Sequence, residues 1–360
     1  MDAKRSHGRG KAASRTRSAA LRALGALALL APLAGAGETE DWAAAMALKQ
    51  AQRGRDAAAA FEAIARTYPQ SARAGEALVE AGVGWFGVAR GEQVLHRCPP
   101  QARETFARAL GFFRRVVEER PGDPSAGRAQ YMCGSVHLFL GDLAEAERAY
   151  GRVLDRFPED QKYAPKALER RAFVRRHRLD AQGALEDLAR HSRDHAKGED
   201  SASVARYLQL MQSYGKPAPE LQAELWLQGE PQSLAALRGD VVAVYFFASW
   251  CENCAAEKAF VLDLHRRFEE RGLRWVGVVD RQRGQTPETL RPFLAKEGLP
   301  FPVMLDRGPT IAAYEATKIP ELVLIDRLGR VRWHDNVANL ADETLETLLT
   351  EDPALVKDIR

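Results

Sequence analysis

Val241-Val242-Ala243-Val244-Tyr245-Phe246-Phe247 is an unbroken apolar run rich in β-branched and aromatic residues, and after Ala248 and Ser249 comes Trp250-Cys251-Glu252-Asn253-Cys254. The first stretch predicts a buried strand. The second puts a C-x-x-C at the junction of that strand with a following helix, which is the spacing of a thiol–disulfide exchange pair. Two cysteines this close can close a small ring. The first sits where a helix begins, and the unpaired N–H groups and dipole there favour a thiolate. The pattern therefore points to chemistry at sulfur.

The N-terminus predicts where that chemistry takes place. Residues 1–19 are rich in Lys, Arg and Ser, and an apolar stretch runs from Ala20 to Leu33. The small-x-small pattern Ala34-Gly35-Ala36 and acidic Glu38, Glu40 and Asp41 follow. That order predicts a secretory signal peptide over residues 1–36, and hence a mature chain that is periplasmic or otherwise exported. The apolar stretch is short for a membrane span of about 20 residues. With no cysteine near the cleavage point and no twin arginine in Arg15-Thr16-Arg17, a lipid anchor and twin-arginine export are not expected.

Removing the leader changes the charge. The whole chain has 52 Lys and Arg against 49 Asp and Glu, a net of +3. The leader holds seven of the bases (Lys4, Arg5, Arg9, Lys11, Arg15, Arg17, Arg22) and one acid, Asp2, which leaves 45 against 48 and a net of −3. Nothing in this balance favours nucleic acid as a partner.

The remaining 324 residues are too many for one typical domain of about 100–200 residues. Prolines interrupt a helical pattern at Tyr214-Gly215-Lys216-Pro217-Ala218-Pro219. The expected organisation is a helical domain over 37–213, a linker over 214–219 and an α/β domain over 220–360. In the first domain one spacing recurs. Phe61, Ile64, Tyr68 and Pro69 are matched by Phe113, Val116, Arg120 and Pro121, then by Tyr150, Val153, Phe157 and Pro158. Leu185 and Leu188 form a weaker copy without the proline. In each set the first two residues share a helix face and the proline ends that helix.

The interval from Tyr150 to Leu185 is close to the roughly 34-residue tetratricopeptide period, and the unit from Gly127 to Pro158 resembles that family in Gly134, Ala146, Tyr150 and Pro158. Ala57, Ala109 and Ala181 hold the small position of the other units. The first two anchors are 52 apart, so an insertion is expected around Gly87–Gln101. A fixed offset puts Ala45, Arg97 and Glu169 at the small position of the first helix in units one, two and four. Repeats of this type imply a protein partner, with an irregular helical bundle as the alternative.

From Ala218 onward the chain resembles secreted thioredoxin-like proteins of the TlpA/ResA type. The resemblance rests on Ala218-Pro219, the Leu237-Arg238-Gly239-Asp240 approach to the strand, the W-C-x-x-C and Ile319-Pro320. It implies a thioredoxin-like α/β fold, a cis-proline at Pro320 beside the disulfide, and docking of a client peptide on Ile319, with Trp250 also lining the substrate site. Expected strands are 225–227, 241–247, 273–279, 301–305 and a hairpin of 322–326 with 331–333; Gly229 is expected to turn a further hairpin into Gln232-Ser233-Leu234.

In the implied mechanism Cys251 attacks a substrate disulfide and Cys254 resolves the mixed disulfide. Glu257, in the pattern C-x-x-C-x-x-E, is the implied proton handler. The buried aspartate of cytoplasmic thioredoxins would fall at Tyr245. Glu252 disfavours a thiolate on Cys251, and Asn253 stands where proline is common, so the direction of electron flow is open, with reduction favoured.

The resemblance further implies protein disulfides as substrates, a membrane thiol reductase as electron donor, and no cofactor. Cys98 and Cys133 are either free thiols or a structural disulfide. His191 and His195, four apart, lack a third residue to make a metal site. The competing reading is a scaffold with a non-catalytic thioredoxin-like module, against which the intact Cys251, Cys254 and Pro320 argue. A peroxidase site of the form Pro-x-x-x-Thr-x-x-Cys is not present in Phe247-Ala248-Ser249-Trp250-Cys251.

Overall fold

The computed structural model describes residues 37–198 and 200–352. The leader expected over residues 1–36 lies outside them. No helix among the described residues is long and apolar enough to cross a membrane.

Antiparallel helix pairs build the N-terminal half: α1 (Glu38–Gln50) with α2 (Gly54–Thr67), α3 (Ala74–Gly91) with α4 (Pro100–Glu119), α5 (Ala126–Leu140) with α6 (Leu143–Arg156), and α7 (Tyr163–His177) with α8 (Ala181–Asp194). Helix α9 (Ser201–Leu210) closes the series. The recurring anchors lie on α2, α4, α6 and α8. The first three of these helices stop at Tyr68, Arg120 and Phe157, each followed by proline, which disfavours helical backbone in the residue before it.

The small position is a matter of close approach. A Cβ on Gly134 would lie 2.6 Å from the Tyr150 ring, and one on Gly82 would lie 2.6 Å from the Phe113 ring. Gly82 is therefore the counterpart of Gly134 in the second pair. Arg97, which the fixed offset selected, sits instead in the connection between α3 and α4. The expected insertion resolves into two longer helices and the loop 92–99.

The C-terminal half is a mixed sheet in the order β1-β4-β3-β2-β5-β6. Its strands are β1 (Ala223–Gln228), β2 (Val241–Phe246), β3 (Leu273–Val279), β4 (Val303–Asp306), β5 (Glu321–Ile325) and β6 (Val331–Asp335). The strands β2, β3 and β4 run parallel, while β5 is antiparallel to both β2 and β6. Its helices are α10 (Glu252–Phe268), α11 (Pro287–Glu297), α12 (Pro309–Ala313) and α13 (Asp342–Thr350). The terminal hairpin turns at Gly329 as expected.

The hairpin at Gly229 does not form. Strand β1 pairs antiparallel with β4, and Gln232–Leu234 is loop, with the Leu234 N–H donating to Glu220 at 2.7 Å. Gly229 lies against Pro302, so the chain is led toward β4 rather than back on itself.

Strand β2 shows how the halves are joined. Val241, Ala243 and Tyr245 share a core with Val261, Leu264 and Phe268 of α10. The alternate residues Val242, Val244 and Phe246 share a core with Ala172 of α7, Ala184 and Leu188 of α8 and Val204 of α9. One face of the sheet is thus covered by its own helices, and part of the other by the last repeat helices. This explains why Leu185 and Leu188 lack the aromatic of the earlier units: their neighbour is a sheet, not another helix pair.

Polar contacts seal the joint. Fully buried Arg176 donates to the His334 carbonyl at 2.8 Å and pairs with Asp335 at 3.1 Å. The linker is not a free tether: Gly215, Lys216 and Ala218 bond to Val331 and Gly329 along the outer edge of β6.

Candidate active site

Cys251 and Cys254 are joined in a disulfide, with Cα atoms 5.2 Å apart. The all-buried strand β2 delivers the chain to the C-terminal edge of the sheet, and α10 begins at once. Cys251 is its N-cap: the Sγ accepts the Cys254 N–H at 3.1 Å. A sulfur in that place faces the positive end of the helix, which favours its thiolate once the bridge is reduced. In the oxidised form the two cysteines are about equally buried, at 8% and 7% exposed. The asymmetry between them lies in the cap position, not in exposure. Glu252 and Asn253 between them are exposed.

The Ile319-Pro320 peptide bond is cis, as expected. Ile319 and Trp250 both pack against the core cluster that contains the two cysteines, and Pro320 follows Ile319 through the cis bond. Strand β5 begins only at Glu321, which leaves Ile319 outside the sheet's own pairing.

A cavity of about 50 Å³ lies beside the disulfide, lined by Tyr245, Phe247 and Phe293 as well as both cysteines. Lys258 and Glu297 also line it and pair at 2.9 Å. Tyr245 stacks on Phe247, ring centroids 5.1 Å apart. Burial pushes the Tyr245 hydroxyl well above the usual phenol range, and the nearby Glu257 charge adds to this.

Glu257 lies on α10 one turn after Cys254. Its carboxylate does not line the cavity; it accepts a hydrogen bond from Nε2 of His96, at 2.6 Å, in the loop 92–99. Sequence reasoning missed His96, Lys258, Glu297 and Gln285. Buried Gln285 accepts from the N–H and hydroxyl of Ser249 at 2.9 and 2.8 Å, tying down the loop before Cys251. Arg283 lies over the Trp250 ring at 4.0 Å. None of these has a local motif; the one available signal was the insertion itself.

Cys98 and Cys133 are both free thiols, with burial raising both and pushing Cys133 up to about 12. The His191 and His195 rings are 5.7 Å apart, and no group of three metal-ligating side chains occurs among the described residues.

Comparison with known proteins gives this geometry a family. Residues 214–334 match the AhpC/TSA family model, and residues 128–160 match a tetratricopeptide repeat model. The chain is 30% identical over 118 residues to the thiol-disulfide oxidoreductase ResA of Bacillus anthracis, covering 32% of this chain and 66% of that protein. It is 29% identical over 120 residues to ResA of Bacillus subtilis, covering 33% of this chain and 65% of that protein. The chain thus spans just under two thirds of the length of these curated relatives. Among solved structures, a thiol-disulfide isomerase from Corynebacterium glutamicum aligns at 29% identity, with 38% of this chain and 98% of that chain covered and a TM-score of 0.34. The C-terminal half is a thioredoxin-like domain of the AhpC/TSA family with ResA thiol-disulfide oxidoreductases among its homologues, and it follows a helical region that contains a tetratricopeptide repeat.

Proposed function

We propose that the chain is an exported thiol–disulfide oxidoreductase that reduces protein disulfides through Cys251 and Cys254, with its helical repeats holding a protein partner. The observation that carries this reading is a disulfide at a helix N-terminus packed in one cluster with Trp250 and the residue before a cis-proline. In the reduced state the Cys251 thiolate attacks one sulfur of a client disulfide. A Cys251–client disulfide forms and the client's other sulfur leaves as a thiolate. Cys254 then gives up its proton and attacks Cys251. The Cys251–Cys254 bond forms as the bond to the client breaks, the client's two thiolates take up protons from water, and the client leaves as a dithiol carrying two electrons from the enzyme. Glu257, one turn after Cys254, takes the proton in this scheme. A thiol reductase in the membrane returns the enzyme to its dithiol form in this scheme, and the leader expected over residues 1–36 supports an exported location for the enzyme.

A Cys254→Ala variant tests the reading. Expressed with its own leader, it should accumulate mixed disulfides on Cys251, identified by mass spectrometry in the exported fraction. A wild-type pair that does not cycle between dithiol and disulfide in a glutathione titration, together with no trapped client, would leave the domain as a binding module.

A further inference from the structure

We propose that His96 is a positioning residue for Glu257, so that a loop of the helical repeats completes the redox centre of the other domain. The proposal rests on the assignment of Glu257 as proton acceptor and adds the group that holds it.

Three observations point the same way. The first is the contact: His96 Nε2 lies 2.6 Å from Glu257 Oε2, and its ring meets Phe260 edge to face at 5.1 Å, so the imidazole is fixed by a charge-assisted hydrogen bond and by packing on α10. The second is the anchoring of the next residue. Arg97 pairs with Asp263 of α10 and lies 3.4 Å from Asp342 of α13, spanning two helices of the sheet domain. The third is the backbone. Val94 and Arg97 exchange both N–H···O=C bonds at 3.0 and 2.9 Å, closing a two-residue hairpin with Leu95 and His96 at its tip. Both tip residues have positive φ, 47° and 59°. Such turns favour Asn-Gly, and bulky residues held there persist only where the surroundings over-determine them. Here His96 and the following Arg97 are held against α10.

The role follows from the exposures. The Glu257 side chain is 18% exposed and that of His96 43%. The hydrogen bond holds the carboxylate in one rotamer, one turn from Cys254, with its accepting oxygen at the border of solvent. When Cys254 attacks the mixed disulfide, its proton passes to Glu257 and from there to water beside His96. Without the imidazole the carboxylate is free to turn outward, and the resolving step loses its oriented acceptor.

The test uses the full-length protein, a disulfide-bonded fluorogenic peptide and dithiothreitol as reductant. His96→Ala should lower kcat about tenfold with KM unchanged, as expected for losing one hydrogen bond to a charged group. His96→Gln, which keeps a donor, should restore kcat to within about twofold of the parent on the same grounds. His96→Gly relaxes the turn, so it should melt no lower than the parent while turning over as slowly as His96→Ala; this separates the contact from the fold. Glu257→Gln should cost roughly a hundredfold, and His96→Ala added to it should cost nothing more. If Glu257→Gln is slow and His96→Ala is not, or if the two losses multiply, the positioning role is overturned while the Glu257 assignment stands. If Glu257→Gln turns over like the parent, the proton assignment itself fails, and His96 with it.

Discussion

Where α7, α8 and α9 meet the sheet, the joint between the two halves is apolar and closed; where the loop 92–99 meets α10, it is polar and half open. The first joint shares side chains such as Val204 and Leu188 with Val244 and Phe246 in one core, and its charged members Arg176 and Asp335 are buried with each other. The second consists of ion pairs around Arg97, one hydrogen bond from His96 and the packing of both side chains on the Phe260 ring. A buried apolar joint sets the fold and tolerates little change. A rim contact adds little to stability but, in the proposed mechanism, reaches the proton acceptor Glu257.

Separating the halves should have the largest effect. The sheet face toward the repeats carries Val242, Val244, Phe246, Val276, Val278, Met304, Val323 and Ile325. Uncovering even half of them costs on the order of 6–12 kcal/mol, comparable to the whole stability of a domain. Residues 220–360 expressed alone should bind a hydrophobic dye and lose cooperative unfolding; a monomeric fragment with a sharp thermal transition would contradict the shared core.

Next in size is Arg176→Ala. It strands the buried Asp335 carboxylate, which burial alone would push up and which the Arg176 guanidinium holds below its ordinary range. The expected loss is about 3–5 kcal/mol in urea unfolding. Arg97→Ala, by contrast, should cost less than about 1 kcal/mol, because Arg97 is itself a third exposed and its partner Asp263 keeps a second pairing with Arg266. Equal losses in the two variants would erase the distinction between the joints.

The smallest effect is a difference between two thiols. Cys133 sits in the repeat core with its thiol pushed up to about 12, whereas Cys98 lies in the rim loop, partly exposed and shifted up less. A raised thiol pKa leaves little thiolate at neutral pH, so alkylation should accelerate with pH and still be rising above pH 9. In the folded protein Cys98 should be modified first, and Cys133 only on unfolding.

The sequence carried whatever is local. A buried strand running into C-x-x-C, a proline before the next strand and prolines closing amphipathic helices are each written within ten residues. Partners chosen by the tertiary fold were not legible. Gly82 escaped because its partner Phe113 is displaced by the inserted turns, and a fixed offset landed on Arg97. Strand β1 found β4 rather than its sequence neighbour because sheet pairing is set by where the edge lies. His96 and Glu257 are 161 residues apart, and no pattern in either segment names the other.

The linker along β6 has a consequence for how the protein survives its own work. An open sheet edge offers unpaired N–H and C=O groups to any extended chain, and pairing there leads to aggregation. Lys216, Pro217 and Ala218 occupy the outer edge of β6, and at the far side Arg291 donates to the carbonyls of Trp226 and Leu227 on β1. The start of β6 and two carbonyls of β1 are thus engaged within the molecule. In the proposed reaction a client that brings its backbone alongside pairs next to Ile319, which the sheet's own ladder leaves free.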